Sequence, residues 1–133
     1  MNTYTNLIFT ERRTKMNINQ YIKEYSTIQM EMQVCPLIYC TDGFNMSVQA
    51  GETHYSTPKK HNADHYESVE IGFPSVEEPL ISEFVESTFD DQPPKFTETV
   101  YPYVPVEIVD KVLEKHGGID FAETLVKHLQ NNY

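Results

Sequence analysis

The chain has 133 residues, with 20 Asp and Glu against 10 Lys and Arg and a formal net charge of −10. That length supports one modest core and one domain, and no apolar run reaches the roughly 20 residues that span a bilayer. An excess of acid also disfavours phosphate backbones and anionic lipid as direct partners. Nine residues are tyrosines, and each one that is buried must place its hydroxyl on a partner.

Residues 1–15 carry three of the ten basic residues and a single acid. The run Glu11-Arg12-Arg13 ahead of Met16 can be encoded by a purine-rich stretch of the ribosome-binding type. Residues 1–15 are therefore expected to be a mis-called extension upstream of a true start at Met16, with a short native tail as the alternative. Residues 16–133 are expected to form a single domain.

Asn17 or Asn19 can cap a short helix over residues 20–30, with Tyr21, Ile22, Tyr25 and Ile28 at helical spacing. Residues 34–40 and 44–50 are apolar-rich runs around Thr41-Asp42-Gly43, the pattern of a β-hairpin. Pro36 suits an edge or a strand entrance. Residues 51–64 read as a polar loop, and residues 66–73 alternate as a third strand.

A short helix is expected over residues 78–86, with Leu80, Ile81, Phe84 and Val85 as its buried stripe. Residues 87–96, with Asp90, Asp91, Pro93 and Pro94, read as a loop. Residues 97–103 form a fourth extended segment, placed at a sheet edge by Pro102. Pro105 opens a helix that runs to His116 and is stopped by Gly117-Gly118. Asp120 with Glu123 caps a last helix. The order indicates an α+β domain: a small antiparallel sheet of three to four strands packed with N-terminal and C-terminal helices.

Few residues point to chemistry. His61 and His65, with His54 and Asp64 nearby, have ligand types for a metal, but two lysines precede them and a solvated loop is the plainer interpretation. Cys35 and Cys40 lie five apart on an expected strand, hence on opposite faces, and are expected to be free thiols. Nothing marks a catalytic residue or a cofactor, and no cofactor is expected. The most informative feature is a stretch without Lys or Arg between Lys60 and Lys95, holding nine acids. Glu67, Glu70, Glu78, Glu83, Glu86, Asp90 and Asp91 are expected to build one acidic face, with Tyr101 and Tyr103 as an aromatic contact patch. Such a face complements a basic groove that normally holds nucleic acid. A merely solubilising surface is the alternative.

The strings MNINQYIKEY, VCPLIYCTDGFNMSVQAGETHYSTP, YESVEIGFPS and ETVYPYVPVEIVDKVLEKHGGI resemble a family of small accessory proteins of phages and prophages. The resemblance covers residues 16–119. Pro102, where that pattern has Gly, and the tail after Ile119 depart from it. It implies a phage context and carries no catalytic residues.

These observations lead to one expectation and two alternatives. The expectation is a non-enzymatic, phage-derived inhibitor acting in the cytoplasm of a bacterial host. Its partner is expected to be a nucleic-acid-binding defence nuclease, which would make the protein an anti-CRISPR in its most concrete form. The first alternative is a protein that binds or sequesters a nucleotide signal through Lys59, Lys60 or His61. The second is a metal-dependent enzyme built on the loop that carries His61 and His65.

Overall fold

The computed structural model describes residues 15–88 and 90–131. Among them the order is helix α1 (Ile18–Tyr25), strands β1 (Thr27–Gln29), β2 (Met32–Val34), β3 (Ile38–Tyr39), β4 (Asn45–Gln49), β5 (Ser68–Gly72) and β6 (Val100–Pro105), then helices α2 (Val106–Lys115) and α3 (Phe121–Asn131). All strand pairs are antiparallel, in a two-stranded sheet β1-β2 and a four-stranded sheet β3-β4-β5-β6. The α+β class with helices at both ends of the domain is as expected. Apart from Lys15, the expectation about residues 1–15 lies outside the described residues.

Helix α1 begins at a complete capping box. Gln20 N–H donates to Asn17 Oδ1 at 2.9 Å, and Asn17 N–H donates to Gln20 Oε1 at 3.0 Å. Ile18, Tyr21 and Ile22 form its buried stripe. The helix ends at Tyr25, five residues short of the expected limit, because Thr27-Ile28-Gln29 pairs with Met32-Gln33-Val34 instead. The two turn residues, Met30 and Glu31, sit at φ 50° and 67°. Positive φ at both positions gives the twist a tight hairpin requires, but Met-Glu lacks the Asn-Gly type of signal that announces it.

The Asp42-Gly43 hairpin forms where expected. Cys40 N–H donates to Phe44 O at 2.8 Å, and Phe44 N–H to Asp42 Oδ1 at 2.9 Å. The strand expected over 34–40 shrinks to Ile38–Tyr39, and the Pro36 carbonyl instead accepts the Tyr21 hydroxyl at 2.9 Å. Cys35 and Cys40 are buried free thiols. With the strand this short, the expected alternation does not extend to either of them.

Strand β4 alternates, with Met46 and Val48 in the core. Strand β6 lies at the sheet edge, as Pro102 requires. Its register against β5 shifts between Val69 and Ile71, so that Pro102 and Tyr103 face the single residue Glu70. This is a bulge on the edge strand, and it accounts for the φ of 54° at Tyr103. Helix α2 stops at consecutive glycines with φ 87° and 86°, and Gly118 N–H returns to Leu113 O at 2.8 Å. Asp120 Oδ1 accepts Glu123 N–H at 3.0 Å at the start of α3.

The helix expected over 78–86 is replaced by turns and a single 3-10 turn, Ser82–Phe84. Nine residues are too few to hold a helix without a full apolar face. Here only Ile81 reaches the core completely, while Leu80, Phe84 and Val85 are partly buried against it. The Glu78 carboxylate also takes the Leu80 N–H at 2.9 Å, a local bond that competes with helical pairing.

Buried polar groups are all partnered among the described residues. The Tyr66 hydroxyl donates to Lys60 O, and the Tyr101 hydroxyl to Phe96 O. Gln33, 1% exposed, donates to Ala50 O at 2.9 Å and to the Tyr66 hydroxyl at 3.0 Å. Its Oε1 accepts Asn62 N–H. These bonds seat the 51–66 loop on the β1-β2 hairpin.

Candidate functional site

Beyond Asp64, which is exposed, the acidic stretch divides into three groups. In the first are Glu83, Glu86, Asp90 and Asp91, with Glu77 beside them in the chain; all are exposed, and none makes an ion pair among the described residues. Glu86 N–H donates to Val100 O at 3.1 Å, so the segment runs along the outer edge of β6 near its start. At the same end of the sheet Phe73 N–H donates to Thr99 O at 3.0 Å. Phe73 and Val76 are each 55% exposed, Val76 next to Glu77 in the chain, and Phe73 is held at φ 51°. A bulky residue at positive φ is uncommon, and such positions concentrate at functional surfaces.

Glu67 and Glu70 do not extend that surface. Glu67 is exposed, but it adjoins the far end of β5, where its carbonyl accepts Val106 N–H at 3.1 Å. Glu70 is half-buried and forms an ion pair with His54 at 3.6 Å. The His54 contact holds the Glu70 carboxyl below its usual range, against a desolvation cost. The same contact raises the His54 ring against its own burial.

Glu78 is a correction to the expected face, because it is 1% exposed. One oxygen, Oε1, lies 2.7 Å from His116 Nε2; the other, Oε2, accepts Lys115 Nζ at 2.9 Å. Burial works against its ionisation, but the Leu80 amide, Lys115 and His116 outweigh burial and hold the carboxyl below the usual range. The other ring nitrogen, His116 Nδ1, lies 2.6 Å from Asp42 Oδ2. Asp42 is likewise held low, first by the Phe44 amide, against desolvation, and then by His116. Both ring nitrogens of His116 thus face carboxylate oxygens. The ring also stacks on Phe44. This cluster joins the hairpin turn, the acidic segment and the end of α2.

Tyr101 is a second correction, since it is fully buried and cannot contact a partner. Tyr103 is 43% exposed, and its ring meets that of Tyr55 at 5.8 Å between centroids. Lys59 Nζ sits 5.2 Å from the Tyr55 ring centre and 5.8 Å from that of Tyr103. The aromatic patch is therefore Tyr55 with Tyr103.

His61 and His65 do not converge on a metal. The His61 ring accepts Glu52 N–H at Nδ1, while Nε2 lies 2.9 Å from Glu31 O and 3.0 Å from a Glu52 carboxylate oxygen. Both nitrogens are thus committed, and His65 is exposed. Among the described residues no group of three His, Cys, Asp or Glu side chains could hold a metal ion. Burial pushes the Cys35 and Cys40 thiols up to about 12, which keeps them un-ionised at neutral pH. No helix among the described residues is long and apolar enough to cross a membrane.

Sequence reasoning missed the roles of Phe73, Tyr55 and the Asp42-His116-Glu78 cluster, and it singled out Lys59 without the aromatic rings that lie under it. Two of the strings quoted above, CTDGF and KHGG, supply Asp42, Phe44, Lys115 and His116, which meet in space; their separation along the chain hid that contact. No family model, no curated protein and no solved structure matches the chain.

Proposed function

We propose that the protein is a non-catalytic inhibitor of phage or prophage origin that competes with nucleic acid for a basic surface on a host defence protein. An anti-CRISPR acting on a nuclease in the bacterial cytoplasm is its most concrete form. One observation carries this reading: Glu77, Glu83, Glu86, Asp90 and Asp91 are exposed and without ion pairs among the described residues, with the exposed Phe73 at the same end of the sheet as Glu86 and the exposed Val76 next to Glu77 in the chain. Carboxylates without internal counter-charge are available to Arg and Lys that otherwise hold phosphates, and they accelerate encounter by steering. The apolar pair supplies the desolvated centre that such contacts need.

The test is DNA binding by a panel of guide-loaded bacterial nucleases, with and without the protein. Loss of binding by at least one nuclease is expected. Glu83→Lys combined with Glu86→Lys should then weaken inhibition at least tenfold and reduce its dependence on salt. Unimpaired DNA binding across the panel, or inhibition indifferent to these reversals, overturns the reading.

A second reading, capture of a nucleotide, draws on the one place where a lysine lies over exposed aromatic rings among the described residues. Lys59 above Tyr55 and Tyr103, with Lys60 adjacent, offers a cation beside stacking surfaces. A thermal-shift panel of nucleotides separates the two readings.

A further inference from the structure

We propose that Asp42, Glu78, Lys115 and His116 form a latch that holds the acidic segment 77–86 against the domain at neutral pH and releases it on acidification. Glu78 is the least exposed acid of its stretch. Its carboxylate takes His116 on one oxygen, and Lys115 and the Leu80 amide on the other. Its carbonyl also accepts Ile81 N–H at 3.1 Å and the Ser82 hydroxyl at 3.1 Å. One residue thus sets the path of residues 78–82, and Glu83 and Glu86 follow from it. The segment's regular structure is a three-residue turn, so its position depends on this tie, on Ile81 in the core and on the Glu86 bond to Val100 O.

Two carboxylates face the Lys115 ammonium and the two ring nitrogens of His116. Glu78 is the carboxylate that Lys115 and His116 share, and protonating it removes the negative charge that ties the segment to the end of α2. The groups that meet in the cluster are Asp42 from the hairpin turn, Glu78 from the segment, and Lys115 and His116 from the end of α2. Cys40, which adjoins Asp42, remains a neutral thiol throughout. Because the folded carboxyls lie below their ordinary values, the tie is complete at neutral pH and weakens as pH falls through the folded values.

The regulatory meaning of the latch rests on segment 77–91 being the contact surface, but the latch can be measured without a partner. The experiment is amide hydrogen exchange on the full chain from pH 7.5 to 2.5, expressed as protection relative to intrinsic rates. On acidification, the Leu80, Ile81 and Phe84 amides should lose at least tenfold protection before those of Val48 and Ile71. Glu78→Gln should show that loss already at pH 7.5, with Val48 and Ile71 unchanged. Loss of protection in segment and core together overturns the latch, as does wild-type protection in Glu78→Gln. Should that variant fail to fold, Asp42→Asn and Lys115→Met decide, because both side chains are about half exposed. Each should lower segment protection at least threefold at pH 7.5, and no change overturns the proposal. Glu83→Lys with Glu86→Lys, which tests the contact surface, should leave these protections unaltered, so the two ideas fail separately.

Discussion

The imidazole of His116 lies parallel to the Phe44 ring, 4.0 Å between centroids and 11° between planes. Rings this close and this nearly parallel gain from stacking beyond the area they bury. Phe44 is 4% exposed, so the contact is largely desolvated. Phe44→Leu keeps most of the apolar volume and removes the face. It should cost about 1–2 kcal/mol, from the lost ring stacking and imperfect packing. Urea denaturation at pH 7 measures this. In a protein that already carries His116→Gln, the same Phe44→Leu change should cost much less.

Stability should fall on both sides of neutrality, for different reasons. Glu70, Glu78 and Asp42 have folded values below their ordinary ones. Their contribution is present above the ordinary carboxylate range and is lost as pH falls through the folded values. His54 is shifted upward from 6.5. Its contribution is complete below that value and is lost as pH rises through the folded one. His54→Asn should therefore flatten the alkaline limb and soften the acid limb through Glu70. Urea midpoints at half-unit intervals of pH test both slopes.

The Met30-Glu31 turn is a site for stabilisation. Both residues occupy left-handed backbone, which costs about 1–2 kcal/mol per ordinary residue. Replacing the pair by Asn-Gly should raise stability by about 1 kcal/mol, since these residues favour that turn. Met30 is 95% exposed, so little packing is sacrificed. An unchanged or lower urea midpoint would contradict this.

Neither thiol should react with an aromatic disulfide reagent at pH 8 in the native protein. Cys35 and Cys40 are 7% and 2% exposed, and both are held un-ionised by burial. Two equivalents should react once the chain is unfolded in urea. Rapid titration of either thiol under native conditions would show that the surrounding packing opens readily.

The sequence carries local signals well where one residue type dictates one backbone geometry. Asn17 with Gln20, Asp42-Gly43, Gly117-Gly118 and Asp120 with Glu123 mark ends and turns that the structure contains. Pro102 places β6 at the edge for the same reason. Tertiary contacts are less legible. Ile28 continues the helical spacing of α1, but pairing with Gln33 takes it into a strand. Glu78 resembles any solvated acid until Lys115 and His116 arrive from 37 and 38 residues away. Tyr101 and Tyr103 look equivalent by sequence, and the bulge opposite Glu70 sends one inward and one outward.

Thr124 carries a consequence that reaches beyond α3. Its hydroxyl accepts Tyr39 N–H at 3.0 Å and also meets Tyr39 O at 3.3 Å, while Asp120 N–H donates to that same carbonyl at 2.8 Å. A helix side chain thereby stands in for a neighbouring strand along β3. On the opposite border, Glu86 does the same for Val100. Both margins of the four-stranded sheet are thus occupied by groups that cannot propagate a ladder. Exposed margins are where β-proteins recruit copies of themselves, and the chain closes these two with its own non-strand segments. Concentrated solutions should therefore resist sheet-to-sheet growth through this sheet, and Thr124→Val, which keeps the shape and removes the hydroxyl, is the change that would reopen one margin.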